Sequence, residues 1–185
     1  MTGAPDVLVR TGRVVVRRFG ADDIDALHAY RNDGVTAAFQ GWDVPWPYDE
    51  AVMLVAEMAM RDPLFERGEW AQLALERTDA PGLIGDIGVL WQADDDVAEV
   101  GFTLAEPHRG AGLMSEALLA VCEEIHRELG LRLVAAITHL VNEPARRVLE
   151  RIGFAAVALD GEHEVVYAWK PGGWPMVADP ARPAD

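Results

Sequence analysis

A chain of 185 residues, half of them apolar and a quarter charged, suits one soluble domain with a full core. Its 31 acidic residues outnumber 16 basic ones, giving a formal net charge of −15, and Lys170 is the only lysine, so no basic stripe exists to neutralise the phosphates of a nucleic acid. No run approaches the ~20 apolar residues of a membrane span, no basic-then-apolar leader opens the chain, and the lone Cys122 excludes an internal disulfide framework, so cytoplasm is the default compartment.

Taken in order, residues 1–12 carry no strong pattern and read as loose. Val14, Val15, Val16 and Arg17 suggest a first strand ending by Gly20, and Ala21-Asp22-Asp23 opens a short helix through Asn32 with Ile24, Leu27 and Tyr30 at helical spacing. Phe39 to Tyr48, FQGWDVPWPY, is too rich in Pro for a regular helix. Asp49 is the expected N-cap of a second helix reaching Met60, with Val52, Val55 and Met58 on its buried face. Trp70–Glu76 and Leu83–Gln92 read as strands joined by a turn at residues 78–82, with Gly85 and Gly88 relieving crowding or marking a bulge. Asp94, Asp95 and Asp96 lack the spaced partners and the glycine of a calcium loop, so they read as a solvated turn and no metal is expected.

The stretch from Glu99 to Leu119, EVGFTLAEPHRGAGLMSEALL, reads as a strand (Glu99–Leu104), a tight turn (Ala105–Gly112) and a helix ending at Gly130. Met114, Leu118, Val121, Ile125 and Leu129 share one face of that helix, and Cys122 on the same side reads as a small buried hydrophobe. Leu133–Thr138 is a continuous apolar strand expected to be buried on both faces, and a strand–helix–strand crossover makes it parallel to the Glu99 strand. A helix from Asn142 to Ile152 ends at Gly153, and Ala155–Leu159 with His163–Trp169 form a hairpin about Asp160-Gly161. Residues 1–170 are expected to be one domain and residues 171–185 a Pro/Gly-rich tail. The fold class is α/β: a central mixed, mostly antiparallel sheet with helices on both faces.

Arg109-Gly110-Ala111-Gly112, opening straight into a helix, is an anion cradle in form. Glycines let successive N–H groups converge, and a helix start adds free donors and partial positive charge. Downstream stands Asn142 to Phe154, NEPARRVLERIGF. Together the two stretches resemble the GNAT acyltransferases, in particular the RimJ/RimL-like N-acetyltransferase branch. Gly110 and Gly112 match the family's phosphate-loop glycines, Arg109 precedes them, and Glu116-Ala117 supply a pair common in that branch. Asn142, Val148, Leu149, Glu150, Gly153 and Phe154 match its second signature. Pro107 stands where the family usually has Gln or Arg, and Ala145 where it usually has Ser. The likeness runs from about Val14 to about Trp169.

The resemblance implies a splayed parallel strand pair and acetyl-CoA as co-substrate. Arg109, Gly110, Ala111, Gly112, Leu113 and Met114 would hold its diphosphate, with Arg147 nearby. Phe102, Thr103 and Leu104 would offer strand-like backbone bonds to the pantetheine arm, and one of their N–H groups would face the thioester oxygen. Asn142 would pair an arm amide or cap its own helix. The implied reaction moves an acetyl group to a primary amine by direct attack on the thioester. Glu99 is the first candidate for the base and His139 the second. Trp42, Trp46 and Tyr48 would line the acceptor cleft or simply pack the helices. The acceptor is a small cationic amine (aminoglycoside-like or a polyamine) or a protein or peptide N-terminal amine, with no nucleic acid or membrane as partner; a homodimer fits this reading. The other reading kept open is a non-catalytic acyl-CoA-binding regulatory protein on the same fold.

Overall fold

In the computed structural model, which describes residues 6–173, eight strands and five helices follow one another. They run β1 (Val7–Arg10), β2 (Val14–Arg17), α1 (Ile24–Arg31), α2 (Gly34–Ala37), α3 (Tyr48–Met60), β3 (Trp70–Arg77), β4 (Leu83–Trp91) and β5 (Val97–Leu104). Then come α4 (Leu113–Leu129), β6 (Leu133–His139), α5 (Glu143–Arg151), β7 (Ala155–Asp160) and β8 (Glu164–Trp169). All strands join one sheet in the order β1-β2-β3-β4-β5-β6-β8-β7. Every pairing is antiparallel except β5 with β6, as the crossover through α4 requires.

Helices cover both faces. On one, α4 and α5 bury Leu118, Val121, Cys122, Ile125 and Leu149 against Val16, Leu75, Val89, Val100 and Val134. Burial pushes the Cys122 thiol up, so it stays protonated and inert. On the other face α1 and α3 bury Leu27, Tyr30, Val55 and Met58 against Phe19, Ala74 and Leu83.

Several expectations need correction. Residues 7–10 are not loose: they pair with β2 as the edge strand β1, while residues 1–5 lie outside the described residues. Pro47, not Asp49, is the N-cap of α3; Asp49 sits in its first turn, where a carboxylate favours the helix dipole. The buried face of α3 is Ala51, Val55 and Met58, an i, i+4, i+7 stripe packed on the sheet, and Val52 is exposed because it lies one residue off that stripe. Strand β6 is not buried on both faces: Val134 and Ala136 face the core, whereas Ile137 on the opposite side is exposed, since among the described residues no helix covers that end of the sheet. The tail turns at residues 171–173, and residues 174–185 lie outside the described residues.

Gly85 answers the crowding question in β4. A Cβ there would lie 2.2 Å from the Thr103 carbonyl oxygen, so only glycine lets β4 and β5 approach. Asp95 and Asp96 pair with Arg132 and Arg67 at 2.9 and 2.8 Å, tying the β4–β5 turn to its neighbours.

Candidate active site

The site begins where β5 and β6 part. Their register holds only at Val97–Leu133, Ala98–Val134 and Glu99–Ala135, whereas β5 stays paired with β4 as far as Leu104. Beyond Glu99, therefore, one edge of β5 is open. The Ala105 N–H donates to the Ile84 carbonyl, so with a period of two the Thr103 peptide groups also face β4. Phe102 and Leu104 turn theirs to the open side. Side chains already reach two of these acceptors: the Gln40 amide donates to Phe102 O at 3.5 Å and Arg109 Nε to Leu104 O at 2.8 Å. Of the three residues expected to offer backbone bonds, Phe102 and Leu104 present them to the gap, while Thr103 offers its side chain to the lining.

A cleft of about 430 Å³ occupies the gap. Phe102, Thr103, Leu104, Arg109, Gly110, Gly112, Leu113, Met114, Asn142 and Arg147 line it, so the strand, the loop and the two helix starts meet at one cleft. Gly110 and Gly112 have φ of +79° and +76°, in the left-handed region that glycine tolerates best. Gly112 caps α4 without any side-chain bond, and the first intrahelical bond is Glu116 N–H to Gly112 O. The N–H groups of Leu113, Met114 and Ser115 are thus left as donors at the positive end of a helix dipole. Pro107 lies in a single 3₁₀ turn, Glu106–His108, where its missing N–H costs no bond.

Asn142 caps α5, its Oδ1 accepting from Ala145 N–H at 3.3 Å, so the helix-cap role is real and leaves the amide N–H₂ for another partner. Ala145 lines the cleft without a hydroxyl. Arg109 is tied inward, since Nη2 donates to Thr36 Oγ1 at 2.7 Å. Thr36 in turn is held by the Asp33 carboxylate, which caps α2 at 2.7 Å and whose pKa those bonds depress. Glu116 binds Thr11 at 2.5 Å and Arg13 at 2.7 Å, fixing the start of α4 to the β1–β2 turn.

Residues 13–155 match the acetyltransferase (GNAT) domain family, which covers most of the chain. The chain is a GNAT acetyltransferase. The uncharacterized N-acetyltransferase YoaA of Bacillus subtilis (strain 168) is 28% identical over 149 residues, 80% of this chain and 82% of that protein. RimL, the ribosomal L7/L12 α-N-protein acetyltransferase, solved in complex with coenzyme A, shares the fold with a TM-score of 0.72 at 17% identity over 89% of this chain and 97% of its own. The microcin C7 self-immunity acetyltransferase MccE, solved with acetyl-CoA and AMP, does so with a TM-score of 0.73 at 11% identity over 86% and 93%. This GNAT protein is accordingly an acetyl-CoA-dependent N-acetyltransferase. Its glycine loop, its uncapped helix start and the open edge of β5 fit a diphosphate on an amide-bearing arm. Among the described residues no helix is long and apolar enough to cross a membrane.

The two candidate bases lie on the sheet face opposite α4. Ala98 and Val100 point into the core, so Glu99 points the other way, where β6 is uncovered. Burial first, then the carboxylates of Asp160 and Glu164, raise the Glu99 pKa above the ordinary range. His139 ends β6; its ring stacks on His163 at 5.7 Å and tilts against Phe39 at 5.9 Å. Its Nδ1 accepts the Val141 N–H at 3.3 Å, which puts the proton of the neutral ring on Nε2. In that tautomer Nε2 is a donor, and Glu99 is the better-placed acceptor.

Trp42, Trp46 and Tyr48 are absent from the cleft lining. Trp42 and Trp46 sandwich the Arg31 guanidinium at 4.4 and 4.6 Å, and Arg31 pairs with Asp86 at 2.9 Å, both side chains almost fully buried. The Tyr48 hydroxyl donates to Asp25 at 2.8 Å. These aromatics anchor the segment that carries Val35, Thr36, Phe39 and Gln40, which the sequence reading overlooked and which line the cleft. Only the Asp33–Thr36 capping pair signalled them. Ser115 and Pro144, neighbours of matched positions, also line the cleft, as do Val148 and Arg151, which were read as signature matches without a site role. Asp86→Ala leaves the Arg31 charge buried and unpaired and is expected to cost about 3–5 kcal/mol by denaturant titration, the usual penalty for breaking a buried ion pair. Loss below about 1 kcal/mol would mean that Arg31 regains water.

Proposed function

We propose that this GNAT enzyme acetylates a cationic amine that approaches over the exposed face of β5, β6 and β8, and that Glu99 accepts its proton directly or through one water. A polyamine or aminoglycoside-like molecule is the first choice within this class and a protein N-terminal amine the second. Acetyl-CoA, when bound, supplies an activated thioester carbonyl. The N–H groups of Phe102 and Leu104 then face the side on which negative charge develops on that carbonyl oxygen. Gly110, Gly112 and the α4 start bind the diphosphate, with Ala111, Leu113, Met114 and Arg147 around it; Asn142 pairs an amide of the arm. An ammonium cannot attack, so an acceptor must lose a proton first, and a carboxylate with a raised pKa is a better base than an ordinary one. With its proton on Nε2, His139 offers an ammonium no acceptor, and beside Phe39 and His163 it walls the approach. Ala145 offers no acid, and a thiol is acidic enough for its thiolate to leave without one.

The observation that carries the acceptor class is the triad of carboxylates Glu99, Asp160 and Glu164 on an open surface that also carries Phe39, Ile137 and the stacked His139 and His163. Such a surface attracts a cation and offers an aromatic wall. Thiol release from acetyl-CoA, measured with a panel of amines at increasing salt, tests it. Cationic amines should be the substrates, and their kcat/KM should fall as ionic strength shortens the ~8 Å Debye length. Acetylation of only neutral or anionic amines, or kcat/KM indifferent to salt, would refute the proposed acceptor.

A further inference from the structure

Behind the glycine loop two guanidinium groups converge on one point. A Cβ on Gly112 would have Arg151 Nη1 at 3.6 Å and Arg13 Nη2 at 3.7 Å as its nearest neighbours. In a chain of net charge −15, cations held this close with so few carboxylates between them need explanation. Glu116 is the one recorded carboxylate partner; it binds Arg13 through Nε and the backbone, leaving Arg13 Nη2 uncommitted. Arg151 makes no ion pair or hydrogen bond among the described residues. The local balance is one positive charge in excess, and Coulomb repulsion between the two cations favours an anion beside them.

That anion is not the one the loop amides address. Arg13 Nη1 donates to the Ala111 carbonyl at 2.9 Å, so this carbonyl points toward Arg13. In a trans peptide the next N–H, that of Gly112, points the opposite way. A phosphate held by the loop amides therefore lies in front of the loop, while the guanidinium pair stands at its rim. Arg13 is more than half exposed and absent from the cleft lining, whereas Arg151 reaches both rim and cleft. A ligand using both places carries two separate phosphate groups a few bonds apart.

Coenzyme A has that constitution: a diphosphate toward the arm and a 3′-phosphate on the ribose. We propose that Arg13 and Arg151 bind the 3′-phosphate, so that the enzyme selects CoA over dephospho-CoA. This rests on the reading that the diphosphate lies at residues 109–114. Titration calorimetry with CoA and with dephospho-CoA, on wild type and Arg151→Gln, tests it. Arg151 is exposed and unpaired, so its replacement leaves the fold intact, which a thermal melt verifies. Wild type should bind CoA about 10- to 100-fold more tightly than dephospho-CoA, the range expected of bonds between charged groups. In Arg151→Gln that preference should shrink toward unity because CoA weakens, with dephospho-CoA unchanged. Equal binding of both ligands by wild type would overturn the proposal. So would equal weakening of both in the variant, which would assign Arg151 to the diphosphate instead. If wild type bound neither ligand, the diphosphate assignment itself would fall, a result distinct from the other two.

Discussion

Glu99→Gln should lower kcat by about 10²–10⁴-fold, the size of a general-base effect, with CoA affinity unchanged. Two further readouts separate this from a structural role. In wild type kcat should rise with pH through a midpoint above the ordinary carboxylate range, because burial, Asp160 and Glu164 raise the Glu99 pKa; the variant should lose that step. Stability should move in the opposite direction to activity. A carboxyl whose folded pKa is raised favours the folded state only while protonated, so its contribution is full below the unfolded value and is lost as pH climbs through the folded one. At neutral pH an uncharged glutamine avoids that penalty, and the melting temperature should hold or rise. If Glu99→Gln keeps wild-type kcat while His139→Ala loses it, the base is His139. If both keep it, solvent removes the proton.

Gly110→Val should abolish tight CoA binding while the protein stays folded. No atom lies within 4 Å of the Cβ position, so the substitution meets no steric clash. The difficulty is the backbone: φ is +79°, and a β-branched residue pays about 1–3 kcal/mol to hold a left-handed conformation. The loop relaxes instead, and the amides that converge on the diphosphate diverge. Calorimetry should show CoA affinity reduced by more than about tenfold, and a melt should show cooperative unfolding. An unchanged affinity would remove the loop from the binding site.

The strand–loop–helix at the centre was legible because each step has a local cause. Apolar periodicity marks β5 and α4, and glycines mark the two left-handed positions between them. Asn142 was legible as a helix cap because an Asn three residues upstream of Ala145, just before a Glu-Pro helix start, fits a side-chain cap. What failed depended on distant partners. An aromatic-rich segment reads alike whether it lines a cleft or packs a core; the decision for Trp42 and Trp46 lay with Arg31 and with Asp86, 55 positions further on. Strand β6 is as apolar as a buried strand, and Ile137 is exposed because none of the described helices packs over it. Strand β1 and helix α2 are four residues each, too short for a periodic signal. Arg151 was read only as standing for the Lys of the second family signature, and its nearness to Arg13 needs the third dimension.

The seam between β5 and β6 has a consequence for the endurance of the protein. Two antiparallel pieces, β1 to β5 and β6-β8-β7, meet along three registered residues, whereas β3–β4 and β4–β5 are zipped over seven. Apart from the edge pair β1–β2, also registered at three residues, this is the shortest joint in the sheet, and it borders the gap proposed for the acyl carrier. A ligand lying against both pieces is a cross-brace, and at a hundred times its Kd it adds about 2.7 kcal/mol to the folded state. The melting temperature should accordingly rise with CoA concentration, which a thermal melt at increasing CoA checks.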